Sequence, residues 1–301
     1  MDIKSLVSQL TLEEKAGLCS GADFWHTKAV ERLGIPASMV SDGPHGLRKQ
    51  DEEVDHLGIN DSIKAVCFPA ASATAASFDR EMLCRMGEAI GDSCQHEKLS
   101  VVLGPAVNIK RSPLCGRNFE YFSEDPLISG KFAAALTKGV QKHPGRGVTI
   151  KHYAVNNQET NRYANNSIVS ERALREIYLK GFGICIRESD PVALMTSYNL
   201  LNGEHTSESR ELSEVLFREF GFDGLIMTDW VVGGDMLLMK GSEYGTPDAA
   251  KVAAAGCSLF MPGSKGDYDQ IIKGLKKGTV SEEQLRENTG RIMHVMQRLG
   301  K

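Results

Sequence analysis

Apolar and polar positions change period repeatedly along this chain. Between positions 79 and 98, Met82, Leu83, Met86, Ile90 and Cys94 recur at helical spacing and predict an amphipathic helix. Directly after it, Ser100-Val-Val-Leu-Gly104 is a short unbroken apolar run, the pattern of a strand covered on both faces. The alternation continues: helix over 126–142, strand over 147–152, helix over 170–187, strand over 192–197, helix over 209–220, and a strand at Leu225-Ile-Met227. A helix over 249–255 then precedes a strand over 258–261, and helices are expected over 267–277 and from Ser281 to about Leu299. Capping boxes at Thr11-Leu-Glu-Glu14 and Ser281-Glu-Glu-Gln284 mark two helix starts. Before position 100 the strands are fainter, with candidates at 35–41 and at Cys67-Phe-Pro69. Residues 49–64, 108–126 and 153–166 are polar without a clear period and read as loops.

Strand and helix in alternation imply a parallel sheet with helices outside. The fold expected is α/β, a (β/α)8 TIM-type barrel whose first part is irregular or incomplete. A doubly wound open sheet is the alternative. No Pro/Gly/Ser-rich linker divides residues 1–301, so a single barrel domain is expected. No Gly-rich phosphate-binding fingerprint follows a strand.

Composition narrows the function classes. Hydrophobic residues make up 41% and charged residues 25% of 301, which supplies a sizeable core. A formal charge of −4 with scattered Lys and Arg gives no electrostatic case for nucleic acid or an anionic membrane. No stretch approaches the ~18 uncharged apolar residues of a membrane span, and residues 1–7 lack the apolar core of a signal peptide. Seven cysteines without a C-x-x-C pair suit reduced thiols in a cytoplasmic protein. Neither they nor the eight histidines fall at zinc-ligand spacing, so no metal is expected.

Polar groups gather where the strands end: Asp42, Lys151 with His152, Tyr198 and Asp229. Active sites of parallel α/β folds lie at that edge. Arg117 and Glu120 follow the Ser100 strand in the long loop, and Trp25 and Trp230 offer flat apolar faces. Carboxylate acceptors, cationic donors, a phenol and indoles are the mixture a carbohydrate needs, because its hydroxyls pair with the first groups and its C–H face stacks on rings. Each residue also has an ordinary reading: Asp42 or Asp229 as turn former or N-cap, Lys151 as a solvated strand end, His152 as a core histidine, Arg117 with Glu120 as a weak surface pair, Tyr198 as core. Their recurrence at one end of successive strands favours a common site.

The motifs carrying this pattern resemble those of glycoside hydrolase family 3 β-glucosidases. They are Ser41-Asp-Gly-Pro-His-Gly-Leu-Arg48, the long segment Gly104–Pro126, Lys151-His-Tyr-Ala-Val-Asn-Asn157, Met195-Thr-Ser-Tyr-Asn199 and Met227-Thr-Asp-Trp230. The resemblance extends from about Thr11 to the end and corresponds to the N-terminal barrel of that family. It implies that Asp229 is the nucleophile of a retaining hydrolysis of terminal β-D-glucosyl residues, through a glycosyl-enzyme intermediate. It implies substrate-binding roles for Asp42, Arg117, Lys151, His152, Met195, Tyr198 and Trp230, a β-glucoside or short β-gluco-oligosaccharide as partner, and no cofactor. Arg117 and Lys151 are expected to favour the charged form of Asp229.

A retaining mechanism also needs a second, protonated carboxyl group ~5–5.5 Å from the first. Two-domain members take that Glu from an α/β sandwich after the barrel, which this sequence does not include, so no acid/base residue is assigned in it. A C-terminal sandwich domain or a partner chain is the expected source. One-domain members that cleave N-acetylglucosamine linkages carry a His–Asp dyad in a Pro-Gly-His-Gly loop; here that place reads Tyr153-Ala-Val-Asn-Asn157. Ser258 and Phe260 stand where the family usually has acidic residues, and residues 231–248 are longer than in many members. The alternatives kept open are a non-catalytic sugar-binding or scaffold barrel, β-xylosidase-type specificity, and a Schiff-base aldolase with Lys151 as nucleophile.

Overall fold

The computed structural model describes residues 2–50, 61–233 and 244–301. Five strands, β1 (Val40–Asp42), β2 (Val101–Ala106), β3 (Gly147–Tyr153), β4 (Ala193–Thr196) and β5 (Leu225–Met227), form one parallel sheet in chain order. A doubly wound sheet requires a reversal of strand order, and this sheet has none. Beyond β5, single parallel bridges join Met227 to Leu259 and Ser20 to Phe260. Antiparallel bridges Gly21–Thr27 and His26–Met39 then lead back to the start of β1. The circuit of a barrel is thus present, but between β5 and β1 it runs through isolated bridges among the described residues. The strand expected over 258–261 survives only as two of those bridges.

Alternation along the strands divides the core. Val102, Val148, Ile150, Leu194 and Ile226 pack outward with the helices. Val101, Leu103, Ala193, Met195, Leu225 and Met227 pack on the opposite face, with Trp25 and Trp230. Leu103 and Met195 from this second set line the main cavity.

The helices follow their signals closely. Both capping boxes form, starting helices Leu12–Leu18 and Glu282–Arg298. Asp79 caps Arg80–His96, and Asp125 caps Pro126–Gln141 with the proline in its first turn. These two helices approach backbone to backbone. A Cβ on Gly139 would stand 2.1 Å from the Cys84 carbonyl oxygen, and one on Gly87 would stand 2.3 Å from that of Leu136. Gly139→Ala is therefore expected to cost about 1–3 kcal/mol through overpacking. Thermal denaturation checks this, and an unchanged midpoint would show that the helices can spread.

Three expectations are corrected. Cys67-Phe-Pro69 forms no strand: Phe68 N–H bonds to the His45 carbonyl, Pro69 has no N–H, and a short helix, Ala71–Ala76, follows. The 35–41 strand shrinks to a start at Val40, because Ile35 is held in a tight reversal with Val30. The helices over 170–187 and 209–220 both widen, at Leu174–Tyr178 and Val215–Glu219, where Leu179 and Phe220 N–H groups reach five residues back. Most of the 49–64 loop and of the 231–248 stretch lies outside the described residues.

Candidate active site

The ends of β1, β3, β4 and β5 and the long loop after β2 bring polar groups to the same edge of the sheet, where a cavity of about 460 Å³ opens. The eight residues given roles by the resemblance all line it, Asp42, Arg117, Lys151, His152, Met195, Tyr198, Asp229 and Trp230, and so do Trp25 and Glu120. Their carriers are the ends of β1, β3, β4 and β5 and the long loop after β2, segments far apart in the chain.

Asp229 lies two residues past β5. The strand is prolonged by Thr228, whose N–H bonds to the Leu259 carbonyl and whose Oγ1 accepts from Met261 N–H at 2.9 Å. The Asp229 side chain is buried, and its Oδ1 accepts from Trp230 N–H at 2.7 Å. Oδ2 has no hydrogen-bond partner among the described residues and stands 3.8 Å from His152 Nε2. Burial pushes this carboxyl up. Arg117, the Trp230 N–H, Lys151 and Arg162 pull it back, and the net direction remains upward from the ordinary value. Arg117 and Lys151 thus favour the charged form of Asp229, as expected, but desolvation outweighs them. One carboxylate oxygen is anchored and the other is electron-rich and uncommitted, an arrangement suited to attack on an electrophilic carbon.

Around it the polar groups are already paired. Lys151 Nζ donates to Asp42 Oδ1 at 2.7 Å. Burial works against the Asp42 charge, but Lys151, then Arg117 and Arg48, hold its carboxyl below the ordinary range. Arg117 forms an ion pair with buried Glu120 and donates from Nη2 to His152 Nε2 at 2.9 Å. With Nε2 accepting, the imidazole carries its proton on Nδ1. Burial, then Arg117, Lys151 and Arg162, push His152 well below its usual value, so the ring is neutral. The Tyr198 hydroxyl donates to the Trp230 carbonyl at 2.7 Å; burial and then the Asp229 charge push the phenol well up, so it stays protonated.

The indoles form one wall. Trp230 Nε1–H bonds to the Phe24 carbonyl at 2.8 Å, and its ring lies 5.7 Å from that of Trp25. Trp25 is tied in turn to Gln50 at 3.1 Å. Apolar face and polar floor thus meet in one cavity.

Arg48, Glu159, Arg162 and Tyr163 also line the cavity and were not assigned from the sequence. Arg48 returns to β1 because its N–H bonds to the Asp42 carbonyl at 2.9 Å. That reversal uses Gly46 at φ 125°, where a Cβ would stand 2.0 Å from the Val66 carbonyl oxygen. The Asp-Gly-Pro-His-Gly run was the signal for it. Arg162 donates to Glu159 at 2.9 Å and lies 4.7 Å over the Tyr198 ring. Only the Glu-x-x-Arg spacing within an aperiodic stretch hinted at this pair. Among the described residues no group of three or more His, Cys, Asp or Glu is placed to hold a metal ion, and no helix is long and apolar enough to cross a membrane.

Comparison with known proteins meets this geometry from another side. Residues 21–295 match the model of the glycosyl hydrolase family 3 N-terminal domain. The thermostable β-glucosidase B of Acetivibrio thermocellus is 50% identical over 298 residues, covering 98% of this chain and 38% of that protein. An exo-α-(1→6)-L-arabinopyranosidase of Bifidobacterium longum is 43% identical over 281 residues, covering 93% of this chain and 35% of that protein. The structure of β-glucosidase 3B from Thermotoga neapolitana in complex with glucose superposes with a TM-score of 0.88 at 38% identity, over 99% of this chain and 43% of that one. The chain therefore spans little more than a third of the length of these curated relatives. On these matches and this fold, the chain belongs to glycosyl hydrolase family 3.

Proposed function

We propose that this chain is the nucleophile-bearing, glucose-binding barrel of a retaining β-glucosidase. The observation that carries the proposal is Asp229: a buried carboxylate with one oxygen anchored and one uncommitted, at the floor of a cavity lined by hydroxyl-binding groups and two indoles. In the reaction, Asp229 Oδ2 bonds to the anomeric carbon as the bond to the aglycone oxygen breaks. Water then hydrolyses the glycosyl ester and releases glucose with its configuration retained. Asp42, Arg117, Lys151 and His152 hold ring hydroxyls, and the indole wall covers the C–H face.

The leaving oxygen needs a proton. Among the described residues, each of the other carboxyl groups lining the cavity is paired with a cation: Asp42 with Lys151, Glu120 with Arg117, and Glu159 through one oxygen with Arg162. A carboxylate held by a cation is a poor general acid, which supports an acid/base group from a further domain or partner chain. Substrates with a good leaving group need little such help.

Both tryptophans of the chain line this cavity, so intrinsic fluorescence reports on its occupancy alone. Glucose is expected to change the emission saturably, and a C-terminal family 3 domain expressed separately should raise turnover of aryl β-glucosides. A folded sample whose emission ignores glucose would count against the reading. The arabinopyranosidase among the relatives favours a second specificity, for pentopyranosides, in the same cavity. Parallel titrations with xylose and arabinose compare the two. A pure binding barrel would respond to glucose yet gain no turnover from the added domain.

A further inference from the structure

We infer that Asn108 is a positioning residue that allows Lys151 and His152, neighbours in one strand, to face the same cavity. Successive residues of a strand point to opposite faces, so a regular β3 would send one of these side chains away from the site. Both nevertheless line the cavity. The strand is irregular here: β3 pairs with β4 at Thr149–Ala193 and Ile150–Leu194, then resumes at Tyr153–Thr196, skipping Lys151 and His152, whose joining peptide is cis. The skipped backbone groups are buried and need other partners.

On the β2 side Val107 N–H takes the Lys151 carbonyl at 2.7 Å. The Asn108 side chain takes both backbone groups of His152: its Nδ2 donates to the carbonyl at 2.8 Å and its Oδ1 accepts from the N–H at 2.8 Å. Asn108 is 4% exposed, so water does not compete for these bonds. A side-chain amide has a donor and an acceptor side by side, as a backbone does, and Asn108 stands in for the missing stretch of strand. The ring it fixes is the one that accepts from Arg117 and stands beside Asp229. Asn108 touches none of the sugar-binding space and acts through His152. This inference rests on the proposed glucose site for its functional consequence, and not for its geometry.

The test compares the parent with Asn108→Ala and Asn108→Asp. Aspartate keeps the volume but replaces the donor facing the His152 carbonyl with an acceptor. Circular dichroism and thermal midpoints confirm folding, tryptophan fluorescence gives the glucose Kd, and long-range ¹H–¹⁵N spectra give the His152 tautomer. The parent is expected to show the Nδ1–H tautomer. Both variants should shift the His152 ring signals and weaken glucose binding by at least ~10-fold while remaining folded. A space-filling role instead predicts that Asn108→Asp behaves like the parent. Folded variants with parent-like His152 signals and a Kd within two-fold of the parent would overturn the inference. If the parent itself ignores glucose, the binding proposal fails, and the His152 spectra still decide the role of Asn108. Should Asn108→Ala not fold, Asn108→Asp carries the same decision.

Discussion

Asp229→Asn should lower the rate of glycosylation by an activated aryl β-glucoside by ~10⁴-fold or more while the protein stays folded. Asparagine has the same shape, and its side-chain oxygen can still accept from Trp230 N–H. It cannot form the ester. Stability should move the other way. Below the ordinary aspartate range, near ~3.9, the carboxyl is protonated folded and unfolded and contributes nothing to pH dependence. Because burial raises the folded value, the unfolded chain ionises first, and stability falls as pH rises from the ordinary value through the raised one. That loss persists at neutral pH, and asparagine escapes it. A gain of up to about 1–3 kcal/mol at pH 7, disappearing in acid, is expected from removing a desolvated charge. Urea denaturation at both pH values measures it. A variant less stable at pH 7 would mean that the carboxylate has stabilising partners. The same shift places the acid limb of the parent's glycosylation profile above the ordinary aspartate value.

The Asp42–Lys151 pair offers the second large effect, and its two halves are not equivalent. Lys151 keeps 5% of its side chain exposed and Asp42 keeps 36%. Asp42→Asn leaves a buried ammonium without its counter-charge. Such losses cost about 3–5 kcal/mol in full burial, and about 1–3 kcal/mol is expected here because water reaches one side of the pair. Lys151→Met removes the buried charge itself and leaves Asp42 in contact with solvent and near Arg48 and Arg117, so it should destabilise less. Both should weaken glucose binding by ~10²-fold, since each removes hydroxyl partners that water cannot replace inside the cavity. Asp42 is depressed, so its stabilising contribution is present above the ordinary aspartate range and is lost as pH falls through the lower folded value. The penalty of Asp42→Asn should therefore shrink in strong acid. Equal destabilisation by both variants would show that the charge on Lys151 is not the costly member.

The strands and helices that carry the site could be read from periodicity, because β2, β3, β4 and β5 are buried on both faces and each begins as a mainly apolar run. Cys67-Phe-Pro69 looks the same over three residues, but the absent proline N–H, the bond to His45 and the exposure of Cys67 separate it from a buried strand. The eight site residues were readable because each lies within one of the quoted motifs. Glu159 and Arg162 were not, since their stretch has no period and their placement comes from Tyr198 and Arg117 across the cavity. Two features of the site could not have come from pattern at all. Strand alternation predicts opposite directions for Lys151 and His152, yet both face the cavity where the ladder skips them and the peptide joining them is cis. The charge balance on Asp229 depends on how much water the fold excludes, which a count of nearby cations does not reveal.

Asp229 as the residue that bonds to the sugar is most directly tested by covalent trapping. The folded chain is exposed to a 2-fluoro glucoside with an activated leaving group, weighed intact, digested and mapped. One fluoroglucosyl adduct per chain, on the peptide containing Asp229 and absent in Asp229→Asn, is the expected result. A folded chain that remains unlabelled, or an adduct on any other residue, contradicts the assignment.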